Sequence, residues 1–287
     1  MEKITYSSHE IDEEQIRELI EFCQEDYFLL GILKSTKLVF KHTAYIEGKL
    51  VGVIMAWKND FHPYCTYFRL LANPLYSSWN IESKLIAKLG KQNLPLQTSI
   101  WETATNLKQF YESNGFKEIR RTYMPVLKVD AVDLEIVDDC SIKTLKEILL
   151  NPTLKIKLLH FVRKTYEETH LDNPVAEKSL EEWEQLLVDD VIVDGSFIYL
   201  DKLEQNIKAY SFLHESDQPY TLELGWCGSV KFDFLQSLLL KQLHYAKEHN
   251  VEFLQGEFDT TSPYAMFSLG ALPFEPCPTW ITYQKIF

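Results

Sequence analysis

The chain has 287 residues, 46% of them hydrophobic and 13% aromatic, which excludes a disordered chain and provides apolar material for two domains with separate cores. Lys and Arg number 29 against 42 Asp and Glu, which gives a formal net charge of −13. Because an acidic surface repels phosphate backbones, we expect no nucleic-acid partner, although the same acidity suits a cationic amine substrate.

Cysteine usage and the lack of long apolar runs indicate the expected compartment. The five scattered cysteines show neither a C-x-x-C pair nor metal-ligand spacing, which predicts reduced thiols and no metal site. The polar, acidic start MEKITYSSHEIDEEQ is unlike a signal peptide, and no run approaches ~18 apolar residues. We therefore predict a cytoplasmic protein without a membrane span. No P-loop, G-x-S-x-G or dinucleotide fingerprint indicates an NTPase, hydrolase or dehydrogenase.

Hydrophobic periodicity over the first 130 residues predicts strands that alternate with helices. Asp12 is expected to begin the first helix as its N-cap, with acidic residues in the first turn. Gly48 marks a tight hairpin turn, and Gly90 ends a later amphipathic helix. In chain order, the predicted elements are a strand at 4–7, helices at 13–23 and 27–33, strands at 42–46, 50–57 and 66–71, a helix at 81–89 and a strand at 96–100.

The stretch 107–129 combines a short helix with an extended run. Leu107, Phe110 and Tyr111 share one helical face, and Gly115 stands where a left-handed C-cap ends a helix. The apolar period then changes to that of strands, with Pro125 as an interruption. We predict either two short strands after the glycine or one long strand with a bulge at the proline.

After a polar linker at 130–133 the same order of elements begins again. Ser179 and Glu182 are expected to form a capping box at one of the later helices. The predicted elements are a strand at 134–137, helices at 142–150, 155–170 and 180–188, strands at 196–201, 207–214 and 220–226, a helix at 234–249, a strand at 251–257, a helix at 264–269 and a strand at 280–286. The restart predicts two domains in tandem, residues 1–130 and 131–287, of which the first should fold or nearly fold alone.

The phrase FYESNGFKEIRRT, with its helix, Tyr-x-x-x-Gly-Phe and following strand, resembles the C-terminal part of a GNAT (GCN5-related) acyl-CoA N-acyltransferase. The resemblance covers nearly the whole chain, most strongly at 107–129 and 207–249. It implies an α/β fold, a mixed sheet with helices on both faces, present twice. It also implies transfer of an acyl group, acetyl from acetyl-CoA, to a primary amine of a small molecule or peptide.

Members of that family hold the cofactor pyrophosphate at a helix N-terminus through the sequence R/Q-x-x-G-x-G/A, because glycines let backbone N–H groups approach the phosphates. The chain departs from this pattern in its first half, where a helix N-cap at Ser77 or Ser78 is the alternative to a modified phosphate loop. Glu82 would place a negative charge near the pyrophosphate. The cofactor-binding residues that the resemblance implies are Leu70, Leu71, Ser77, Ser78, Trp79, Asn80, Ile81, Glu82, Asn106 and Tyr111.

The second half departs further from the pattern. Its strand LELGWCGS resembles the strand before the phosphate loop in some two-domain members of the family, but the loop at 231–237 has no glycine. We expect Phe232, Phe234 and Leu235 to pack there rather than bind phosphate. The first half is therefore the predicted cofactor-binding half, and loss of binding in both halves is the alternative.

Two residues are the predicted catalytic groups. The resemblance implies that Tyr111 protonates the leaving thiolate, because a phenol has a pKa near ~10, close to that of a thiol. It also implies that Glu223 accepts the amine proton through a water molecule. An amphipathic helix tyrosine and a solvated strand carboxylate are the alternatives. Asn106 is expected to cap the helix that carries Tyr111, and Tyr264 is the weaker counterpart of that tyrosine in the second half.

The predicted function is an acetyl-CoA-dependent N-acetyltransferase that acts as a monomer or homodimer. The alternative is a catalytically degenerate tandem scaffold that binds a ligand or partner without acyl transfer. Aminoacyl-tRNA is a third donor, used by related tandem folds, and the net charge of −13 disfavours it.

Overall fold

The computed structural model describes residues 3–8, 12–90, 92–132, 139–188, 190–203 and 205–287. It confirms the predicted mixed α/β architecture, because two separate sheets are each covered by helices. The part of the chain described contains no helix long and apolar enough to cross a membrane.

Most predicted elements of the first half are present within one to four residues of their expected bounds. Asp12 caps the first helix as predicted, since its carboxylate accepts the backbone N–H groups of Glu14 and Gln15. In chain order the elements are β1 (Ile4–Ser7), α1 (Glu13–Phe22), α2 (Phe28–Lys34), β2 (Leu38–Ile46), β3 (Lys49–Trp57), β4 (Thr66–Ala72), a 3₁₀ helix (Pro74–Trp79), α3 (Ile81–Leu89), β5 (Leu96–Trp101), α4 (Thr105–Ser113), β6 (Lys117–Tyr123) and β7 (Val126–Lys128).

The second half has the predicted capping box, in which Ser179 Oγ accepts the Glu182 N–H and the Glu182 carboxylate accepts the Ser179 N–H. Its elements are β8 (Ile142–Thr144), α5 (Leu145–Leu149), α6 (Pro152–Thr169), α7 (Leu180–Val188), β9 (Phe197–Leu200), β10 (Ile207–Glu215), β11 (Thr221–Ser229), α8 (Phe232–Glu248), β12 (Phe253–Gly256), β13 (Phe258–Asp259), α9 (Pro263–Ala271) and β14 (Thr279–Lys285). A short 3₁₀ turn, Val129–Ala131, follows β7.

The prediction differs from the structure in three places. The helix expected at 142–150 is a strand followed by a helix, because Thr144 forms a capping box with Glu147 and so starts the helix at Leu145. The strand expected at 251–257 ends at Gly256, where the chain leaves one sheet for the other. The 3₁₀ helix Pro74–Trp79 was not predicted. The strand expected at 134–137 lies outside the residues described.

The two sheets exchange strands across the predicted division at residues 130 and 131. The first sheet has the order β1-β2-β3-β4-β5-β14-β6-β13, and the second has the order β7-β12-β11-β10-β9-β8. The last strand of the chain therefore lies between β5 and β6, antiparallel to both. Strand β6 before Pro125 pairs with β14 in the first sheet, and strand β7 after it pairs with β12 in the second sheet. The extended stretch around the proline is therefore two strands in different sheets.

This exchange changes what a fragment of residues 1–130 should do. Without β14, strands β5 and β6 have no partner between them, and Ile281 and Tyr283 are missing from the core. We therefore no longer expect residues 1–130 to fold alone. The division at 130 and 131 stays a prediction about the two repeats.

Each sheet separates two apolar clusters. In the first half, Phe68 and Leu70 of β4 face α3 and α4, while Leu71 faces α1 and α2. In the second half, α8 and α9 cover one face of the sheet, and α5, α6 and α7 cover the other. In both sheets a parallel pair lies inside, β4 with β5 and β11 with β12, and these pairs position the candidate site.

Candidate functional site

The parallel strands β4 and β5 separate soon after they begin, and one arginine spans the gap. Their register contains Thr66 opposite Leu96 and Tyr67 opposite Gln97, with no pair beyond these. Arg69 of β4 then donates a short hydrogen bond from Nη1 to the backbone carbonyl of Ser99 on β5. An unpaired strand edge would otherwise leave this carbonyl without a partner.

Buried groups hold Arg69 in place. Its guanidinium lies over the ring of Trp280 on β14, 5.2 Å from the centroid. Its Nε lies 3.4 Å from a carboxylate oxygen of Glu25, and the two side chains are only 7% and 11% exposed. Burial raises the pKa of Glu25, and the charge of Arg69 opposes that shift. The gap in the first half is therefore closed by an ion pair that belongs to the core.

Tyr111 lies beside this gap, in the apolar core of the first half. Its side chain is 0% exposed and packs edge-on against Phe68 and Phe116. Its hydroxyl has no hydrogen-bond partner, and neither has the nearby hydroxyl of Thr98. Burial raises the pKa of Tyr111, and the charge of Arg69 opposes that shift. The assignment of Tyr111 as the acid stays a prediction.

The substitution Tyr111→Phe distinguishes a core tyrosine from a proton donor. Since the buried hydroxyl is unpaired, we expect its removal to leave the free energy of unfolding unchanged or to raise it by up to ~1 kcal/mol. The matched control is Tyr283→Phe, because that equally buried hydroxyl donates to Glu112 at 3.0 Å, and its loss should cost ~1 kcal/mol or more. Denaturant titration measures both. A fall in kcat of ~10²–10⁴ in Tyr111→Phe at unchanged stability would instead establish the acid.

The other residues predicted to bind cofactor are spread along the same half. Leu70 and Leu71 are buried in opposite faces of β4. Ser77, Ser78 and Trp79 belong to the 3₁₀ helix, and Asn80, at φ 52°, joins it to α3, whose first residues are Ile81 and Glu82. Neither serine is the N-cap of α3.

Asn106 was expected to cap α4, and this expectation is wrong. The N-cap position is Ala104, which provides no side-chain hydrogen bond, and Asn106 lies inside the first turn. The local pattern misled because Thr105 already has helical structure, so the helix begins before the asparagine.

The gap between β11 and β12 in the second half is open. The two strands pair in parallel from Thr221 opposite Phe253 to Leu224 opposite Gly256, and β11 then continues to Ser229 beyond its partner. The register with β10 shifts at the same point, because Gly225 and Trp226 together oppose the single residue Phe212. Such a bulge interrupts the ladder on the other side of β11 as well.

This open gap faces a cleft of 630 Å³ between the two halves. The second half contributes Gly225, Trp226 and Cys227 of β11, with Ala265 of α9 nearby. The sheet of the first half contributes the opposite wall, which carries Tyr67, Gln97, Ser99, Arg120 and Thr122. Both repeats are therefore needed to enclose the cleft, and ligand sites commonly lie at such interfaces.

Carboxylates line the cleft next to the gap. Glu223 of β11 accepts a hydrogen bond from Nε2 of Gln255 at 2.9 Å. Glu257 follows β12 directly and is open to solvent in the cleft. Desolvation by the cleft walls, and then the charges of Glu223 and Asp259, raise the pKa of Glu257. Sequence reasoning identified Glu223 and missed Glu257, which was expected to be the last residue of a strand but lies just after β12.

One cation from the first half pairs with a further carboxylate of the cleft. Arg120 Nη1 of β6 lies 3.2 Å from Asp259 of β13, and the hydroxyl of Thr122 also donates to that aspartate. Among the residues that the structure describes, five acidic side chains and one arginine line the cleft, the acids being Asp190, Glu215, Glu223, Glu257 and Asp259. The cleft therefore favours a positively charged ligand.

Aromatic and imidazole rings form the end of the cleft. Tyr166 of α6 and His170, the C-cap of that helix, stack at 3.9 Å between ring centroids, and His62 of the first half lies 5.4 Å from His170. Trp226 packs against Tyr166 at 4.9 Å. Nothing in the sequence spacing brings His62 near His170, so sequence reasoning could not find this group.

Helix α8 begins directly beyond the open end of β11. Its N-cap is Lys231, which is exposed and makes no capping hydrogen bond through its side chain. Leu235 is buried and Phe234 stacks on Tyr199 at 4.5 Å, which confirms the expected packing, while Phe232 stacks on Phe267 at 4.7 Å with 43% of its surface exposed. The positive end of the α8 dipole and the Lys231 side chain therefore both lie just beyond the end of β11.

The fold has counterparts among solved structures. A GCN5-related N-acetyltransferase from Sphaerobacter thermophilus is 11% identical with a TM-score of 0.65, and the match covers 98% of this chain and 95% of that one. A tandem GNAT protein from the clavulanic acid biosynthesis pathway is 13% identical with a TM-score of 0.52, covering 99% and 98%. A glucosamine N-acetyltransferase region of a fungal multi-domain β-N-acetylglucosaminidase is 10% identical with a TM-score of 0.64, covering 99% and 38%.

No family model and no curated protein match the sequence. The structural likeness confirms the predicted fold, that of tandem GNAT acetyltransferases. At sequence identities of 10–13% the likeness establishes the fold alone. Any inference about activity must therefore come from the residues of the cleft.

Proposed function

We propose that the protein is an N-acyltransferase that binds acyl-CoA, with acetyl-CoA as the expected donor, along β11 of the second half. The observation that carries the proposal is the contrast between the two gaps. The gap beside β11 opens into the cleft, whereas the equivalent gap beside β4 is spanned by Arg69. The proposal therefore assigns the donor to the second half, whereas the sequence favoured the first half.

The backbone of β11 suits the donor. The pantetheine arm of coenzyme A contains two amides, which can pair with an unpaired strand edge as an added strand does. Residues 225–229 present such an edge beyond the last pair with β12. A ligand lying along them reaches the N-terminus of α8, where the helix dipole and Lys231 favour the diphosphate.

The cleft also suits the acceptor. Glu223 and Glu257 attract an ammonium group to the point where β11 and β12 separate. In this proposal a backbone N–H at the bulge of β11 stabilises the oxyanion that forms when the amine attacks the thioester, and the interrupted ladder there supports that role. Glu223 stays the base that the family resemblance predicts. All five cysteines are unpaired, which supports the proposed cytoplasmic location.

Two charge changes, one at the start of each helix that follows a gap, test which half binds the donor. Lys231→Glu removes the cation at α8, and we expect it to weaken acetyl-CoA binding about tenfold, or ~1.4 kcal/mol, a typical worth for a charge-assisted contact. Glu82→Arg adds a cation at α3, where the first-half phosphate loop was predicted, and should leave the affinity unchanged. Calorimetry gives both dissociation constants. Tighter binding in Glu82→Arg with an unaffected Lys231→Glu would place the donor in the first half.

Turnover is tested by thiol release from acetyl-CoA with a panel of amines that includes n-butylamine, 1,4-diaminobutane and glucosamine. The alternative, a scaffold without acyl transfer, is favoured by one observation, because neither helix that follows a gap has a glycine-rich loop. A scaffold should bind no acetyl-CoA, whereas saturation at ~100 times the dissociation constant should stabilise an enzyme by ~2.7 kcal/mol.

A further inference from the structure

His170 is held in one orientation at the end of the cleft. Its ring lies flat on Tyr166, one helical turn earlier, with an angle of 8° between the planes. Its Nδ1 lies 2.8 Å from the backbone carbonyl of Tyr166 and 3.0 Å from Oγ1 of Thr169. The same threonine hydroxyl donates to backbone carbonyls, so it accepts from the imidazole.

These contacts determine which ring nitrogen carries the hydrogen. A carbonyl oxygen only accepts, so Nδ1 of His170 must be the donor. In a neutral imidazole the other nitrogen then has a free lone pair. Nε2 has no protein partner among the residues that the structure describes, and the ring lines the cleft. His170 therefore presents an unoccupied proton acceptor to the ligand space.

The surroundings of His170 disfavour its charged form. Burial lowers the pKa of His170, the carbonyl of Tyr166 opposes that shift, and the charge of Arg120 lowers the pKa further while that of Asp259 raises it. Burial also lowers the pKa of His62, whose Nδ1 donates to the carbonyls of Asn173 and Pro174 and whose Nε2 lies 3.0 Å from the Tyr166 hydroxyl. The ionisable groups around the ring are His62, Arg120, Tyr166 and Asp259.

We propose that Nε2 of His170 accepts the proton of the acceptor ammonium, which makes His170 a further catalytic residue of the proposed reaction. One ammonium proton passes to Nε2, and the freed nitrogen lone pair forms the C–N bond. The C–S bond breaks with its electron pair on sulfur, and the second nitrogen proton goes to the thiolate. The imidazolium then releases its proton to solvent.

This role of His170 rests on the proposed N-acyltransferase function. It assigns the binding of the amine and the removal of its proton to different residues. Glu223 and Glu257 attract the cation, while the imidazole takes the proton through the lone pair that Nε2 presents to the cleft. This assignment competes with Glu223 as base.

The experiment compares His170→Gln with His249→Gln. His249 has the same local geometry, since it stacks on Tyr245 at 3.9 Å and places Nδ1 2.8 Å from that carbonyl, but it is exposed and lies outside the cleft. With acetyl-CoA and the best amine of the panel, we expect His170→Gln to lower kcat/KM by ~10²–10⁴ near neutral pH. Its rate should then rise with pH up to the pKa of the amine. His249→Gln should match the parent.

Each outcome decides between the assignments. The proposal is overturned in favour of Glu223 if His170→Gln keeps the kcat/KM of the parent while kcat/KM in Glu223→Gln no longer depends on pH. A nitrogen NMR spectrum of the unliganded protein that shows a hydrogen on Nε2 at neutral pH would also overturn it. If the parent releases no thiol with any amine although both histidine variants are folded, the proposed function fails and the role of His170 fails with it.

Discussion

A chain that ends at Cys277 is expected to lose the cooperative fold of its first half. The missing strand β14 pairs with β5 on one side and β6 on the other, and its Ile281 and Tyr283 are 0% exposed. Burial of each such side chain is worth ~1.5–3 kcal/mol, and the loss of two ladders adds to this. The sum is comparable with the whole stability of an ordinary domain, ~5–15 kcal/mol.

Thermal unfolding followed by near-ultraviolet circular dichroism measures this loss. The control is a chain that ends at Lys285, which removes only the exposed Ile286 and Phe287 and should unfold like the parent. A synthetic peptide of residues 276–287 should restore part of the signal of the shortened chain. An unchanged midpoint in the chain ending at Cys277 would show that β14 does not support the first sheet.

The substitution Glu257→Gln is expected to raise KM for the amine by about 10–150-fold with little change in acetyl-CoA affinity. A charge-assisted contact to the ammonium is worth ~1.5–3 kcal/mol, which corresponds to that range. Because the pKa of Glu257 is raised, the parent should lose amine affinity as the pH falls through that pKa, at a higher pH than an ordinary carboxylate would give. The glutamine variant should lack this dependence.

The matched control is Glu252→Gln, which removes the same charge just before β12 on an exposed position outside the cleft. Initial rates of thiol release at several pH values give KM for each variant. Equal increases in both variants would assign the effect to net charge rather than to the cleft. An unchanged KM in Glu257→Gln would remove this carboxylate from acceptor binding.

Helices and strands could be predicted from hydrophobic periodicity wherever contacts between residues close in the sequence determine where they begin and end. Asp12, Gly115 and the Ser179–Glu182 box mark helix ends through contacts within a few residues, so their effect is visible in sequence. The exchange of β7 and β14 was not predictable in this way. Both strands have ordinary patterns, and only the register across distant segments decides which sheet receives them.

The candidate site was less predictable than the fold. Glu223 was identified because its strand alternates, but the choice of the first half rested on Tyr111 and the polar loop. Hydrophobic periodicity places Arg69 in a strand but does not indicate that its side chain spans the gap between β4 and β5 to bind the Ser99 carbonyl. The partners of His170 come from four separate elements, and no sequence spacing records such proximity.

Amide hydrogen exchange with and without saturating acetyl-CoA tests the central claim most directly, because it reports which strand edge the donor covers. We expect slowed exchange at residues 225–229 and in the first turn of α8, with residues 70–82 unchanged. Slowed exchange confined to residues 70–82, or no change anywhere at millimolar acetyl-CoA, would contradict a donor site on β11.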